Sequence, residues 1–103
     1  MIQRLTFKRL PDMETKEIIL YGKVQGVGFR RFAKLVADQF NIKGYVKNQN
    51  DNQLDIIAQG DKNRLKEFID LIKQGPLLAK IEKCEIKSWD SQENFQEFRI
   101  IWD

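Results

Sequence analysis

Residues 18–40 read IILYGKVQGVGFRRFAKLVADQF and contain the segments that decide the fold. Residues 17–22 include a compact run of apolar β-formers, which predicts a central strand. Three glycines follow in the loop at residues 22–28. Apolar side chains then recur at helical spacing, at Phe29, Phe32, Ala33, Val36, Ala37 and Phe40. The stretch therefore predicts a strand, a glycine-rich loop and an amphipathic helix in direct succession.

A hairpin is predicted after this helix. Asn41 and Gly44 are typical of a helix C-terminus and a turn. Residues 45–48 and residues 53–59 favour strands, because they are rich in β-formers and flank a cluster of turn residues at 49–52. The two strands are therefore expected to pair.

A second helix and two further strands complete the pattern. Asp61 follows Gly60 as an N-cap, and Gly75-Pro76 ends the helix. A strand is predicted over residues 79–89. A bulge is predicted near Lys83, because the apolar residues of this stretch change there from odd-numbered to even-numbered positions. A last short strand is predicted from alternating apolar residues at Phe98, Ile100 and Trp102.

The predicted order is β-α-β-β-α-β with an extra terminal strand. This order is that of the α+β ferredoxin-like sandwich (split βαβ), an antiparallel sheet of four to five strands with two helices on one face. Residues 1–15 lack a sustained period, and we expect a flexible N-terminal extension there. The folded domain is expected to cover residues 16–103.

The composition excludes several kinds of chemistry. The 103 residues include no histidine and one cysteine, Cys84. Ser-His-Asp and Cys-His catalysis, a structural zinc site and an internal disulfide are therefore excluded within this chain. Cys84 is expected to be a small buried hydrophobe. No apolar run approaches the roughly eighteen residues of a membrane span, and basic residues interrupt the N-terminus. A cytoplasmic protein without a membrane partner is expected.

The net charge of +3 lies mainly in the N-terminal extension. Residues 1–16 contain four basic and two acidic residues, so that the rest of the chain carries only +1. This near-neutral body disfavours nucleic-acid binding, although RNA-recognition modules share the βαββαβ order. Such modules place aromatic side chains on the exposed sheet face, and Tyr45 is the candidate for that role.

The glycine loop and the helix after it predict an anion site. Backbone N–H groups of such a loop can turn to one side, and the N–H groups at the start of the helix add to them. Arg30 and Arg31 lie in the first helical turn, where a cation is unfavourable unless an anion binds. The alternative is that both arginines pair with acidic neighbours or point into water. The loop lacks the Gly-Lys-[Ser/Thr] end of a Walker A motif and the third glycine of a dinucleotide-binding fingerprint.

Asn48 is the second polar candidate. It lies at the end of a predicted strand, where asparagine commonly serves as a turn residue. In the predicted topology the hairpin can bring Asn48 towards the glycine loop, where its neutral amide could hold a water molecule.

Two motifs carry a resemblance to a known family. Residues 22–30, GKVQGVGFR, resemble the acylphosphatase signature G-x-V-Q-G-V-x-F-R. Residues 44–48, GYVKN, resemble its second signature, G-[aromatic]-V-x-N. Looser matches are Ala58-Gln59-Gly60, Gly75-Pro76 and Phe98-x-Ile100. The resemblance covers about residues 16–102.

The resemblance implies a hydrolase with the ferredoxin-like fold. Acylphosphatases split the carboxyl–phosphate anhydride of acyl phosphates into a carboxylate and inorganic phosphate, without a metal or cofactor. Arg30 matches the family's phosphate-binding arginine and Asn48 the asparagine that positions the attacking water. The backbone amides of the loop match the phosphate cradle, which is formed by Gln25, Gly26, Val27, Gly28 and Phe29. Arg31 has no role assigned in the motif. We expect a monomer with an acyl phosphate substrate, a phosphate product and no nucleic-acid partner.

Three features depart from the family pattern. Gln49 replaces a small hydroxyl residue, Asn52 replaces a hairpin glycine, and the N-terminal extension is additional. Asn52 is expected to tolerate a positive φ there. For the chemistry, we expect the substrate's own phosphate to accept the proton of the water, with Asp51 or Asp55 as the competing base. A module that binds phosphate or acyl phosphate without turnover is the alternative function.

Overall fold

The structure is a computed structural model that describes residues 12–90 and 93–102. It contains five strands and two helices within these residues, in the order β1 (Met13–Lys23), α1 (Phe29–Gln39), β2 (Lys43–Asn48), β3 (Gln53–Asp61), α2 (Lys62–Gln74), β4 (Lys80–Ser88) and β5 (Phe98–Ile101).

One sheet contains all five strands, in the order β4-β1-β3-β2-β5. The α+β ferredoxin-like prediction is confirmed, and the four strands from β4 to β2 pair antiparallel as expected. The fifth strand corrects the prediction of an antiparallel sheet, because β5 runs parallel to β2 and the sheet is mixed. The reason is geometric: β4 runs opposite to β2, so a strand that starts at the end where β4 finishes runs in the direction of β2.

The core lies between one face of the sheet and both helices. Alternate residues of the strands, including Ile18, Leu20, Leu54 and Ile56, point to this face and are fully buried. On α1, Phe29, Ala33, Val36 and Ala37 are buried, and on α2, Leu65, Phe68 and Ile72 are buried. The helical periodicity therefore identified the buried faces. This packing fixes the start of α1 against the end of the sheet at which β1 and β2 finish.

The N-cap of α2 and the bulge in β4 are also as predicted. Asp61 accepts hydrogen bonds from the backbone N–H groups of Asn63 and Arg64 through its Oδ2, at 3.1 and 3.3 Å. Between β1 and β4 the register passes from Tyr21 opposite Lys83 to Gly22 opposite Ile81, so that Glu82 is the extra residue. A Cβ on Gly22 would lie 2.3 Å from the carbonyl oxygen of Lys80, which explains the glycine at this close approach.

Two further expectations concern the N-terminal boundary of the domain and the burial of Cys84. β1 begins at Met13, so the sheet includes three residues that we assigned to the extension, whereas residues 1–11 lie outside the described residues. Cys84 is half-buried and packs against the core, and burial raises the pKa of its thiol.

The outer face of the sheet is partly covered by residues 93–97. Gln59 donates to the carbonyl oxygen of Glu93 at 2.8 Å and accepts from the backbone N–H of Phe95 at 3.0 Å. The ring of Phe95 also lies 6.1 Å from that of Tyr45, centre to centre. Burial raises the pKa of Tyr45, and the residue named as a candidate for base stacking packs against the protein's own chain.

Candidate active site

A cleft of about 210 Å³ opens at the end of the sheet where β1, β2 and β5 finish. It contains both side chains that the sequence singled out for catalysis, Arg30 and Asn48, together with four residues of the glycine loop. The lining residues are Val24, Gln25, Gly26, Gly28, Phe29, Arg30, Arg31, Asn48 and Trp102. Val27, the remaining expected loop residue, packs its side chain against the core.

The backbone of the loop has the conformation expected for an anion cradle. Gly26 and Gly28 adopt left-handed conformations, with φ of 73° and 78°, and a Cβ on either would meet nothing within 4 Å. Backbone conformation rather than space therefore requires these glycines. Gly28 is also the N-cap of α1, where it offers no side chain to the N–H groups of the first turn, and no acidic residue lies in that turn. The start of α1 thus keeps its partial positive charge for a ligand.

The side chain of Gln25 joins the loop to the hairpin. Its Nε2 lies within hydrogen-bond distance of the carbonyl oxygens of Gln49, Asn50 and Gln53. The hairpin loop is closed in turn by a 3.0 Å hydrogen bond from the Gln49 N–H to the Gln53 carbonyl. Sequence reasoning assigned Gln25 only a backbone role, because nothing local identifies a partner so far along the chain.

The side chain of Arg30 contacts the C-terminal end of β5 and the residue that follows it. Its guanidinium carbon is 4.4 Å from the centre of the Trp102 ring, a cation–π distance, and its Nη1 is 3.4 Å from the carbonyl oxygen of Ile101. Arg31 approaches the same ring, with its guanidinium carbon 5.8 Å from the ring centre. The C-terminal end of β5 therefore holds the arginine that the sequence placed at the phosphate.

Trp102 is a cleft residue that sequence reasoning missed. The alternation of Phe98, Ile100 and Trp102 predicted a strand face, and the strand ends at Ile101. Parity still places Trp102 on the side of the sheet that faces α1. There, beyond the last paired residue, 58% of its surface is exposed and it reaches Arg30. Trp102 could have been identified from the sequence because it continues the alternation of Phe98 and Ile100 at the end of the predicted strand.

Asn48 ends β2 and presents an unsatisfied oxygen at the cleft. Its Oδ1 is buried, and no hydrogen-bond partner for it exists among the described residues. A buried amide oxygen without a partner costs about 1–3 kcal/mol. The atom is therefore suited to accept a hydrogen bond from a bound water or ligand.

Neither of the two carboxylates considered as a base lines this cleft. Asp55 is buried on the outer face of the sheet, where it accepts hydrogen bonds from the side-chain amides of Gln49 and Gln53 at 2.9 and 3.2 Å. Asp51 lines a separate depression with Lys23 and Asn52. All lining residues of the cleft within the described chain are uncharged or cationic.

Two departures from the family pattern have structural explanations. The side chain of Gln49 is bound to Asp55 rather than to Asn48. Asn52 does not adopt the positive φ that we expected it to tolerate; Asn41 is the described non-glycine residue with positive φ, at 58°. The four residues between β2 and β3 close the turn without a left-handed residue at position 52.

Residues 12–90 and 93–102 contain neither a candidate metal site nor a candidate membrane-spanning helix. No group of three or more His, Cys, Asp or Glu side chains there could hold a metal ion. No helix in these ranges combines the length and the apolar character needed to cross a membrane.

Comparisons with known proteins find relatives that cover most of the chain. The acylphosphatase family model matches residues 16–100. An acylphosphatase of Archaeoglobus fulgidus is 42% identical over 86 residues, which cover 84% of this chain and 96% of that protein. An acylphosphatase of Bacillus subtilis is 36% identical over 85 residues, which cover 82% of this chain and 93% of that protein.

Solved structures show the same fold. The crystal structure of an acylphosphatase from Bacillus subtilis superposes with a TM-score of 0.82 at 34% identity, covering 87% of this chain and 99% of that one. A structure of full-length HypF matches with a TM-score of 0.82 at 33% identity, covering 91% of this chain but 12% of that one. Because the family model covers residues 16–100, which include the glycine loop and the hairpin, and because relatives above 30% identity cover most of the chain, the chain belongs to the acylphosphatase family.

Proposed function

We propose that this chain hydrolyses acyl phosphates to a carboxylate and inorganic phosphate, and that Arg30 and Asn48 carry the reaction. The observation that carries this proposal is their juxtaposition: the glycine loop, Arg30 and the buried, unpartnered Oδ1 of Asn48 line one cleft. The cleft thus combines donors for a phosphoryl group with an acceptor for a water molecule.

The loop and Arg30 bind the phosphoryl group. The amides of residues 25–29 and the start of α1 supply N–H donors around a left-handed backbone, and Arg30 supplies a planar fork that matches two phosphoryl oxygens. The guanidinium of Arg30 has five N–H donors, and its contact with the Ile101 carbonyl uses one of them. These fixed positive groups stabilise the negative charge that the phosphoryl oxygens carry in the transition state.

Asn48 positions the water. Its Oδ1 accepts one hydrogen bond from the water, whose oxygen then faces the phosphorus opposite the acyl oxygen. The water oxygen forms the new bond to phosphorus as the bond between phosphorus and the acyl oxygen breaks, and the carboxylate leaves with the electron pair. The proton of the water passes to a phosphoryl oxygen. This route is supported by the cleft, whose described lining contains no carboxylate to act as a base.

Release of phosphate from a simple acyl phosphate tests the function, and two variants test the roles. Arg30→Ala should raise KM and lower kcat, because phosphate is held in both the ground state and the transition state.

Asn48→Ala should chiefly lower kcat, by about 100-fold, because the water is misplaced. Asn50→Ala is the matched control, since Asn50 is an exposed turn residue outside the cleft.

The outcomes separate the alternatives. Binding of inorganic phosphate without release from any acyl phosphate would identify a non-catalytic phosphate-binding module instead. If Asp55→Asn abolished the pH dependence of kcat, the substrate would not be its own base. A monomeric state, a cytoplasmic location and the absence of nucleic-acid binding stay predictions of the same proposal.

A further inference from the structure

We infer that Arg31 and Trp102 form a second anion-binding position in the cleft, which takes a carboxylate or phosphate on the acyl part of the substrate. The inference rests on the proposed function and narrows its substrate class. It assigns acyl phosphates that carry a second negative charge as the preferred substrates.

Arg31 is a cleft residue that the phosphoryl site does not require. It lines the cleft together with Arg30, and both guanidinium carbons lie close to the ring of Trp102, at 5.8 and 4.4 Å. The two charges are thus separated by no more than about 10 Å. Consecutive residues of a helix point in directions about 100° apart, so the two side chains reach the ring from different positions on α1. One substrate can therefore contact both arginines at different groups.

No acidic side chain within residues 12–90 and 93–102 forms an ion pair with Arg31. The described residues provide it with no ion pair or hydrogen bond, and its contact is the ring of Trp102. The first turn of α1 contains no acidic residue, and the described lining of the cleft contains no carboxylate. Arg30 adds a like charge nearby. An anion that bound beside Arg31 would relieve this repulsion.

The contact between Arg31 and the Trp102 ring does not use an N–H hydrogen bond of the guanidinium. A guanidinium over an aromatic ring offers its flat face to the ring, and its N–H donors lie in its own plane. The donors of Arg31 therefore remain available to a bidentate anion. Trp102 is 58% exposed, so the ring forms a wall of the cleft rather than part of the core.

A matched pair of substrates isolates the second anion. Butyryl phosphate and succinyl phosphate have acyl chains of the same length and differ at the far end, which is a methyl group in one and a carboxylate in the other. The quantity to measure is the ratio of kcat/KM for succinyl phosphate to kcat/KM for butyryl phosphate. Arg31→Gln removes the charge and should lower this ratio about 10-fold, the effect of one charge-assisted hydrogen bond.

Two control variants make the test specific. Arg31→Lys keeps the charge but not the fork, and should retain part of the preference. Lys34→Gln removes one positive charge from the same helix, where Lys34 pairs with Asp38 at 3.1 Å outside the cleft, and should leave the ratio unchanged.

The inference fails if Arg31→Gln leaves the ratio unchanged, or if it lowers kcat/KM equally for both substrates. The second result would place Arg31 at the scissile phosphate. A chain of unaltered sequence that releases phosphate from neither substrate would overturn the proposed function itself, and this inference with it.

Discussion

Gln25 shows how a single side chain holds two halves of a site together. The phosphate cradle and Asn48 lie on different parts of the chain, and the amide of Gln25 bridges them through three backbone carbonyls. The distance between the anion and the water in the proposed mechanism therefore depends on this side chain. The spacing of the first motif therefore has a structural purpose as well as a chemical one.

The first prediction concerns this bridge. Gln25→Glu replaces the donating group with a carboxylate that faces three carbonyl oxygens, so it should lower the free energy of unfolding by about 2–3 kcal/mol and also lower kcat. Gln25→Ala, which only removes the hydrogen bonds, should cost about 1 kcal/mol. Urea unfolding and phosphate release measure the two effects. Gln96→Glu is the matched control at an exposed position, and equal stability of all three variants would contradict the bridge.

At the scale of elements, glycines of the two motifs serve different purposes. Gly44 lies in β2 with φ of 137°, and a Cβ there would be 1.9 Å from the carbonyl oxygen of Ile57 in β3. Gly26 has φ of 73° but open space around it. The second motif thus needs Gly44 for strand packing, whereas the first motif needs Gly26 and Gly28 for backbone direction.

The second prediction compares these two positions. Gly44→Ala should destabilise the protein by about 4 kcal/mol or prevent folding, because backbone atoms of two paired strands must separate. Gly26→Ala should cost only about 1–2 kcal/mol, the strain of a left-handed alanine. Urea unfolding followed by circular dichroism measures both changes. Similar losses at the two positions would show that the sheet adapts to the added atom.

At the scale of the whole molecule, the sequence predicted the helices and strands better than it predicted which strands lie side by side in the sheet. The faces of α1 and α2, the hairpin and the bulge follow from local spacing, which is why they were predictable. The partner and direction of β5 depend on which edge of the sheet the chain reaches after β4, and alternation of apolar residues carries no such information. The role of Trp102 depends on that placement, so its position in the cleft could not be predicted from the two motifs.

The third prediction concerns the N-terminal extension. A chain that starts at Asp12 should retain kcat/KM within about twofold, because the family model begins only at residue 16. A chain that starts at Thr15 loses the pairing of Met13 and Glu14 with β3 and the 2.8 Å hydrogen bond from Lys62 N–H to the Asp12 carbonyl. It should remain active but unfold at lower urea, by about 1–2 kcal/mol. Loss of activity in the first chain would make residues 1–11 part of the working domain.

The bulge in β4 affects whether a strand of another molecule can pair with the edge of this sheet. An open sheet offers two rows of unpaired backbone groups, on β4 and β5, to which strands of another molecule could add. β5 has only four residues, and β4 combines the irregularity at Glu82 with charged residues along most of its length. At β4 an incoming strand would find neither a regular ladder nor an apolar edge, and at β5 it could form only a short ladder. Both edges are thereby poorly suited to pairing with a strand of another molecule.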